Sequence, residues 1–448
     1  MKILFVSLGC DKNLVDSEHM SGLLSKAGYE CTDDETQADV IVINTCCFIH
    51  DAKEESINTI LEMAQYKEQN LKALVVAGCL AERYKDEILK EIPEIDAVLG
   101  TTSYDSIVEA VNTALEENTG EHFEHYESID YLPDNSEVER VVTTGNHMAY
   151  LKIAEGCDKR CSYCIIPKIR GRFRSVPMQE LLNEAKRLAS EGVKELVLVA
   201  QETTLYGKDL TGEKQLPLLL HELCKIEGIE WIRLLYCYPE EITDELIKVI
   251  KTEEKVCNYI DMPIQHSENR ILQRMGRRTS REDLVAVIKK LRKEIPDITI
   301  RTTLITGFPG ESQEDHEGLM NFVEECQFDR LGVFTYSPEE DTLAATFEDQ
   351  IDEEVKEERR DELMSLQQEI SYEHTQQLVG KTIKVMVEGY LFEDDIYVGR
   401  SYMDAPKVDG CVFINSPEEL MTGDFVYVKI TQGREYDVIG EVDYEFTK

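Results

Sequence analysis

The chain has 448 residues, with 48 Lys and Arg against 89 Asp and Glu, a formal net charge of −41. A field of that sign repels phosphate backbones and attracts basic partners, which argues against an electrostatic grip on nucleic acid. No apolar run approaches the ~20 residues of a membrane-spanning helix, and thirteen cysteines, an odd number, exclude a fully paired disulfide framework.

The start, Met1-Lys2-Ile3-Leu4-Phe5-Val6, is too short for a signal peptide and runs straight into a structured pattern. A cytoplasmic protein is expected, in which cysteines serve metals or catalysis. Residues 1–120 alternate strand and helix. Strands are expected at Ile3–Ser7, Val40–Asn44, Ala73–Ala77 and Ala97–Leu99; helices are expected at Asp16–Ala27, Ala52–Gln65, Glu82–Lys90 and Tyr104–Glu116. Alternation of this kind implies an open parallel sheet wrapped by helices.

Cys10, Cys46 and Cys79 each follow the carboxyl end of an expected strand. Ligands bind at that edge of open parallel sheets. Three thiolates on one rim suggest a metal cluster with three protein ligands and one open iron. The alternative is three buried core cysteines, which are common. Cys47 lies at the same rim and reads as a neighbour; Cys31 has no such placement.

Residues 121–146 are acidic and polar, with Pro133 and Gly145, and read as a connection. A second alternating series follows. Its strands are expected at Ala149–Ile153, Glu195–Ala200, Ile232–Tyr236, Tyr259–Met262, Thr299–Ile305 and Leu331–Thr335. Its helices are expected at Met178–Ser190, Leu216–Cys224, Asp244–Ile250, Ser280–Lys293 and Gln313–Cys326. Six such units suggest a partial (β/α)6 barrel, whose active site should gather at the carboxyl ends of the strands.

After the first of these strands comes Cys157-Asp158-Lys159-Arg160-Cys161-Ser162-Tyr163-Cys164, three cysteines at C-x3-C-x2-C spacing. Thiolates suit iron–sulfur clusters. Three of them leave one corner of a four-iron cluster for a ligand that is not protein. A zinc knot would want a fourth Cys or His near by, and none follows before His221. Gln201-Glu202-Thr203 follows the second strand and Gly307-Phe308-Pro309-Gly310-Glu311 the fifth. Two basic stretches stand out: Lys168, Arg170, Arg172 and Arg174, then Arg270, Arg274, Arg277, Arg278 and Arg281. Spacing does not rank these arginines. Residues 352–377 form a charged helical link. The tail alternates in strand fashion at Ile383–Gly389, Asp395–Arg400, Val412–Asn415, Phe425–Thr431 and Val438–Val442, which suggests a small β-barrel.

Three segments carry a resemblance to a known family. They are Leu8-Gly9-Cys10-Asp11-Lys12-Asn13 with Asn44-Thr45-Cys46 and Gly78-Cys79; Glu155-Gly156-Cys157 through Ile165-Ile166-Pro167 with Arg170-Gly171-Arg172; and the C-terminal barrel, which looks like a TRAM module. Along essentially its full length the chain resembles the methylthiotransferase family of radical S-adenosylmethionine (SAM) enzymes. The resemblance implies three domains: 1–140, an α/β domain with the second cluster; 141–372, a radical SAM partial barrel; and 373–448, a TRAM-like barrel. It implies two [4Fe-4S] clusters, one on Cys157, Cys161 and Cys164 and one on Cys10, Cys46 and Cys79. SAM would bind the open iron of the first. Tyr163 could pack on the adenine, Glu202 could accept from the SAM amino group, and Gly307 and Gly310 could let the backbone approach the nucleoside. No catalytic residue is expected beyond the cluster ligands.

One branch of the family modifies an adenosine of tRNA. Another modifies the β-carbon of an aspartate in a small-subunit ribosomal protein. Asp11-Lys12-Asn13 matches the second, where the tRNA branch usually reads Gln-Met-Asn. From residue 375 onward, seven Lys/Arg stand against fourteen Asp/Glu, a net of 7 − 14 = −7. An acidic barrel suits a basic ribosomal protein and not tRNA. The expected partners are that protein and an electron donor such as flavodoxin or ferredoxin, with no membrane. The alternatives are a tRNA adenosine methylthiotransferase and, more distantly, a non-catalytic iron–sulfur carrier. One departure from the family is Tyr336-Ser337-Pro338-Glu339-Glu340-Asp341, where Gly is common at the last position.

Overall fold

The first sheet grows from short apolar segments that need burial on both faces. Val40–Thr45 and Ala73–Gly78 have every residue buried, the mark of central strands in a parallel sheet covered by helices on each side. Each large aliphatic chain buried there contributes about 1.5–3 kcal/mol. In the computed structural model, which describes every residue except 117–121, 136–137 and 447–448, β1 (Lys2–Ser7), β2 (Glu30–Cys31), β3 (Val40–Thr45), β4 (Ala73–Gly78), β5 (Ala97–Leu99) and β6 (Phe123–His125) form one parallel sheet in the order β2-β1-β3-β4-β5-β6. The expected open sheet is present. It is one strand longer at each edge, because β2 and β6 are too short and too polar to read as strands. β6 falls in the segment read as a connection.

The second body has β7 (Met148–Lys152), a two-residue ladder of β8 (Ala154–Glu155) with β9 (Arg174–Ser175), and then β10 (Glu195–Val199), β11 (Trp231–Leu234), β12 (Tyr259–Asp261), β13 (Thr299–Thr306) and β14 (Arg330–Thr335). The six long strands pair in parallel as two halves, β7-β10-β11 and β12-β13-β14. A single bridge from Ile232 to Val256 spans the seam between the halves. The long helix Glu353–Gln376 lies along the second half. Its buried stripe carries Lys356, Arg359, Leu363, Gln367 and Ile370, so charged residues of this helix bond inward: Lys356 Nζ donates to the Tyr336 carbonyl (3.0 Å) and Arg359 to Glu311 (2.8 Å).

The tail closes into a five-stranded barrel, β15 (Thr382–Leu391), β16 (Ile396–Ser401), β17 (Val412–Asn415), β18 (Phe425–Gly433) and β19 (Val438–Val442), in the order β15-β16-β17-β19-β18. It docks on the amino ends of the central strands through buried ions. Arg400 of β16 pairs with Glu195 at the start of β10 (2.6 Å), and Arg233 of β11 pairs with the same carboxylate (2.8 Å) while donating to the Tyr402 carbonyl (2.6 Å). Arg330 meets Asp404 (2.5 Å), and Arg301 lies between Asp261 (2.8 Å) and Asp409 (3.3 Å). Among the described residues, no helix is long and apolar enough to cross a membrane.

Candidate metal and cofactor centre

The register of the first sheet fixes one cysteine group. Ser7 of β1 pairs with Asn44 of β3, and Thr45 pairs with Gly78 of β4. Cys46 and Cys79 are the next residues on neighbouring strands, and Cys10 begins the helix Asp11–Lys26 after β1. The turns are tight. Gly9 and Gly78 hold φ of +83° and +92°, and a Cβ on them would lie 2.6 Å from Cys46 Cβ and 2.2 Å from Asn44 Oδ1 respectively. Cys46 and Cys79 are buried. Burial pushes both thiols up, and the neighbouring thiols, Cys10 among them, add to the effect. The Cys47 thiol donates to the Cys79 carbonyl (3.1 Å). Cys31 is exposed beside Ser21 Oγ (3.2 Å).

The second group sits in the loop after β8. The Cys157 N–H donates to the Gly171 carbonyl (3.1 Å), the Ser162 N–H to the Met275 carbonyl (2.9 Å) and the Cys164 N–H to the Cys161 carbonyl (3.1 Å). Lys159 pins the loop to the barrel, reaching Glu241 (2.6 Å) and Glu240 (3.1 Å). Burial, helped by the adjacent Cys161 and Glu202, pushes the Cys157 thiol up to about 11. Cys164 is raised for the same reason. Ligation of a cationic cluster would therefore displace protons. Among the described residues, no three His, Cys, Asp or Glu side chains converge on a single ion. A four-iron cluster asks for something different, namely thiolates spread over separate iron corners.

The two cysteine groups are joined by one buried network. Arg170 is 1% exposed. Its Nη1 donates to Asp16 Oδ2 and Glu155 Oε2, both at 3.0 Å, and its Nη2 lies 3.6 Å from Cys79 Sγ and bonds Asn13 Oδ1. Asn13 also donates to the carbonyls of Leu8 (3.0 Å) and Thr45 (2.9 Å), tying the first cysteine turns together. Lys152 pairs with the same two acids, Asp16 and Glu155 (3.0 Å to the latter). Glu155 also accepts from its neighbour's amide, Gly156 N–H (3.3 Å), and Cys157 is the next residue. A second clasp lies at the loop after β14, where Arg83 bonds Glu339 (2.9 Å), the Cys47 carbonyl (3.0 Å) and the Glu340 carbonyl (3.0 Å). In that loop Asp341 holds φ of +65°, the left-handed conformation that glycine adopts freely and aspartate tolerates. The departure from the family pattern thus keeps the turn.

Glu202 is fully buried beside Cys157. Its Oε1 accepts from Thr204 N–H (3.0 Å) and the Thr204 hydroxyl, while Oε2 has no hydrogen-bond partner and faces Lys159 Nζ at 3.6 Å. Burial raises its carboxyl to about 7. Of the arginines that spacing could not rank, Arg270, Arg274 and Arg281 are paired with Asp315, Asp349 and Glu268, and Arg278 is exposed. Arg277 differs. It is buried over the Tyr238 ring (4.4 Å to the centroid), donates Nη2 to the Pro263 carbonyl (2.8 Å), and leaves Nε and Nη1 without a partner. Tyr163 meets Phe308 edge-on (ring centroids 6.5 Å) in an apolar cluster with Met275 and Tyr336. Phe308 stands in the Gly307–Gly310 turn, so Tyr163 and that turn share one wall. Gly307 and Gly310 hold φ of +68° and +82°, and the space a Cβ would take is filled by Lys356 (2.2 Å) and Asp349 (2.4 Å) of the chain itself. His266 accepts at Nδ1 from Glu268 N–H (3.0 Å), while its Nε2 has no hydrogen-bond partner and lies 3.4 Å from Glu311 Oε2.

The donor chemistry fits two clusters and SAM: six thiols in two groups, an orphaned carboxylate oxygen, and an orphaned guanidinium beside the second group. Two further cavities belong to neither cysteine group. One of about 240 Å³ is lined by His19, Tyr104 and Glu184, and one of about 370 Å³ by Arg330, Ser371 and Asp409.

Comparison with known proteins places these features in context. Residues 2–100 match "Uncharacterized protein family UPF0004", residues 151–323 the radical SAM superfamily and residues 379–442 the TRAM domain. The chain is 61% identical over 444 residues to a protein of Lachnoclostridium phytofermentans named ribosomal protein uS12 methylthiotransferase RimO, covering 99% of this chain and all of that one. It is 51% identical to a protein of the same name from Acetivibrio thermocellus, covering 100% and 99% of the two chains. The fold resembles the radical SAM methyltransferase TsrM from Kitasatospora setae with a TM-score of 0.55 at 14% identity, over 74% of this chain and 72% of that one.

Proposed function

This chain belongs to the ribosomal protein uS12 methylthiotransferase family of radical SAM enzymes, and from that premise we propose that it inserts a methylthio group at the β-carbon of an aspartate in that small-subunit protein. It is an enzyme that uses SAM and [4Fe-4S] clusters. We assign one cluster to Cys157, Cys161 and Cys164 and the other to Cys10, Cys46 and Cys79. When bound, the Cys157 group's cluster would supply the electron that cleaves SAM to a radical able to take hydrogen from an unactivated carbon, and the Cys10 group's cluster would carry the sulfur species to be inserted.

The chain's own residues supply placement. Glu202 Oε2, without a partner, accepts from the SAM amino group, and the two open donors of Arg277 take its carboxylate in a charge-assisted bond. Tyr163 and the Gly307–Gly310 turn form the wall on the nucleoside side. The Arg170 and Arg83 contacts hold the two cysteine groups in one relative position, so that reacting atoms meet in register and water is excluded.

The observation that carries this reading is the place of Arg170, buried with its guanidinium 3.6 Å from Cys79 Sγ of one cysteine group and 3.0 Å from Glu155, two residues before the first cysteine of the other. The acidic tail supports a basic protein substrate over tRNA. We further propose an electron donor of the flavodoxin or ferredoxin kind and a cytoplasmic setting. Mass spectrometry of uS12 from a strain lacking the gene tests the reading. The target aspartate should lose the mass of one methylthio group and regain it on complementation. Unchanged uS12 together with a missing tRNA modification would favour the nucleic-acid substrate instead.

A further inference from the structure

We propose that Lys12 is the substrate-binding residue that takes the side-chain carboxylate of the target aspartate. The inference rests on the substrate reading above and deepens it. Lys12 follows Cys10 by two residues, in the first turn of the helix Asp11–Lys26, and is 5% exposed. Its ammonium lies 3.5 Å from the centroid of the Tyr236 ring, across the interface in the central barrel. Buried cations elsewhere on this interface have carboxylates: Arg170 and Lys152 share Asp16 and Glu155, and Arg83 has Glu339. Lys12 makes no ion pair within 4.0 Å among the described residues. Its sequence neighbour Asp11 accepts from the hydroxyl of that same Tyr236 at 3.3 Å and acts on the ammonium from beyond ion-pair distance.

The ring beneath Lys12 is held in an unusual way. Tyr236 follows β11 with φ of +59°, a strained conformation for a residue with a Cβ, and its N–H is fixed on Asp261 Oδ2 at 2.9 Å. Strain of this kind persists where surrounding structure enforces it, commonly at binding sites. Here it turns an aromatic face toward the helix start that carries Cys10 and Lys12. A buried ammonium on an aromatic face, at a helix N-terminus that also favours negative charge, is built for an anion. Against burial, the Tyr236 hydroxyl, Cys10 and Asp11 favour the charged ammonium, yet among the described residues no carboxylate stands in ion-pair contact with it, so an incoming one can make a direct charge-assisted pair. The chemistry of the target fits. The β-carbon is bonded directly to the carboxyl carbon, so fixing the carboxylate on Lys12 fixes the reacting carbon one bond away, beside the Cys10 group that we assign to the sulfur-bearing cluster.

The test uses the full-length chain with both clusters reconstituted anaerobically and fluorescently labelled uS12 in two forms, one with the target Asp and one with Asn in its place. Fluorescence anisotropy reads affinity, and iron content verifies that each variant is folded. The wild-type chain should bind the Asp form about tenfold or more tightly than the Asn form, as expected for a charge-assisted contact. K12M should bind the two forms alike, and K12R should keep a preference of the same sign. If K12M loses its iron, K12Q takes its place with the same expected result. A K12M chain that separates Asp from Asn as strongly as wild type overturns the inference while leaving the substrate reading intact. A wild-type chain that does not bind uS12 at all removes the substrate reading and this inference with it.

Discussion

Arg170 lies 3.6 Å from Cys79 Sγ in the first sheet and 3.0 Å from Glu155 Oε2, two residues before Cys157. One guanidinium thus touches the surroundings of both cysteine groups. Replacing it with Met leaves Lys152 as the one ion-pair partner of Asp16 and Glu155 among the described residues, in a buried site. Breaking such a pair costs about 3–5 kcal/mol. R170M should lower the urea midpoint by a corresponding amount, and R170K, which keeps the charge but loses the planar fork, should fall between it and wild type. An R170M chain as stable as wild type would refute the network.

The two cysteine groups should separate functionally. C161A should abolish formation of 5′-deoxyadenosine from SAM. C46A should still cleave SAM yet yield no methylthiolated uS12. Either change should lower iron from roughly eight to roughly four per chain. Methylthiolated product from C46A would sink the assignment of Cys10, Cys46 and Cys79.

Arg277 should set SAM affinity. Removing a charge-assisted bond costs about 1.5–3 kcal/mol, on the order of 10- to 100-fold in affinity. R277M should weaken SAM binding by that factor in equilibrium dialysis, and E202Q should move it in the same direction. Arg278, exposed one residue later, serves as the control, and R278M should bind as wild type does.

Stability should respond to acid through Glu195. Burial alone would raise its carboxyl, but Arg400 and Arg233 outweigh burial and hold it down to about 2. A depressed carboxyl stabilises the fold above its unfolded value, near 4.5, and that contribution is lost as pH falls toward 2. The shift corresponds to about 3 kcal/mol. E195Q should be less stable than wild type at pH 7, and the gap should narrow between pH 4.5 and pH 2 in urea titrations. A gap that stays constant with pH would remove Glu195 as its source.

Much of this architecture was legible in the chain. Val40–Thr45 and Ala73–Gly78 announce themselves as continuous apolar runs, and helices at Met178–Ser190, Leu216–Cys224 and Gln313–Cys326 fall where apolar periodicity puts them. The cysteines were readable because a parallel strand ending in cysteine leaves little choice of edge. Other features carry no local signal. The first helix begins at Asp11, five residues before its expected start, because Cys10 occupies its N-cap position without a capping side-chain bond. Phe123–His125 joins the sheet as a partly exposed edge, where alternation is absent. Arg277 could not be told from Arg274 or Arg281, since the difference lies in which carboxylate each meets across the fold. Lys12 stood in a recognisable motif, yet its seat on the Tyr236 ring is a fact of three dimensions.

The seat of Arg400 on Glu195 has a consequence for how the molecule matures. Residues 382–442 follow the central barrel in the chain and so are made after it, and they lay the floor on which both of its halves rest. Until they are made, Glu195 and Arg233 lack their partners in the tail, and the two sheet halves lack their common base. A chain stopped before Arg400 should therefore unfold at a lower urea concentration than the whole chain.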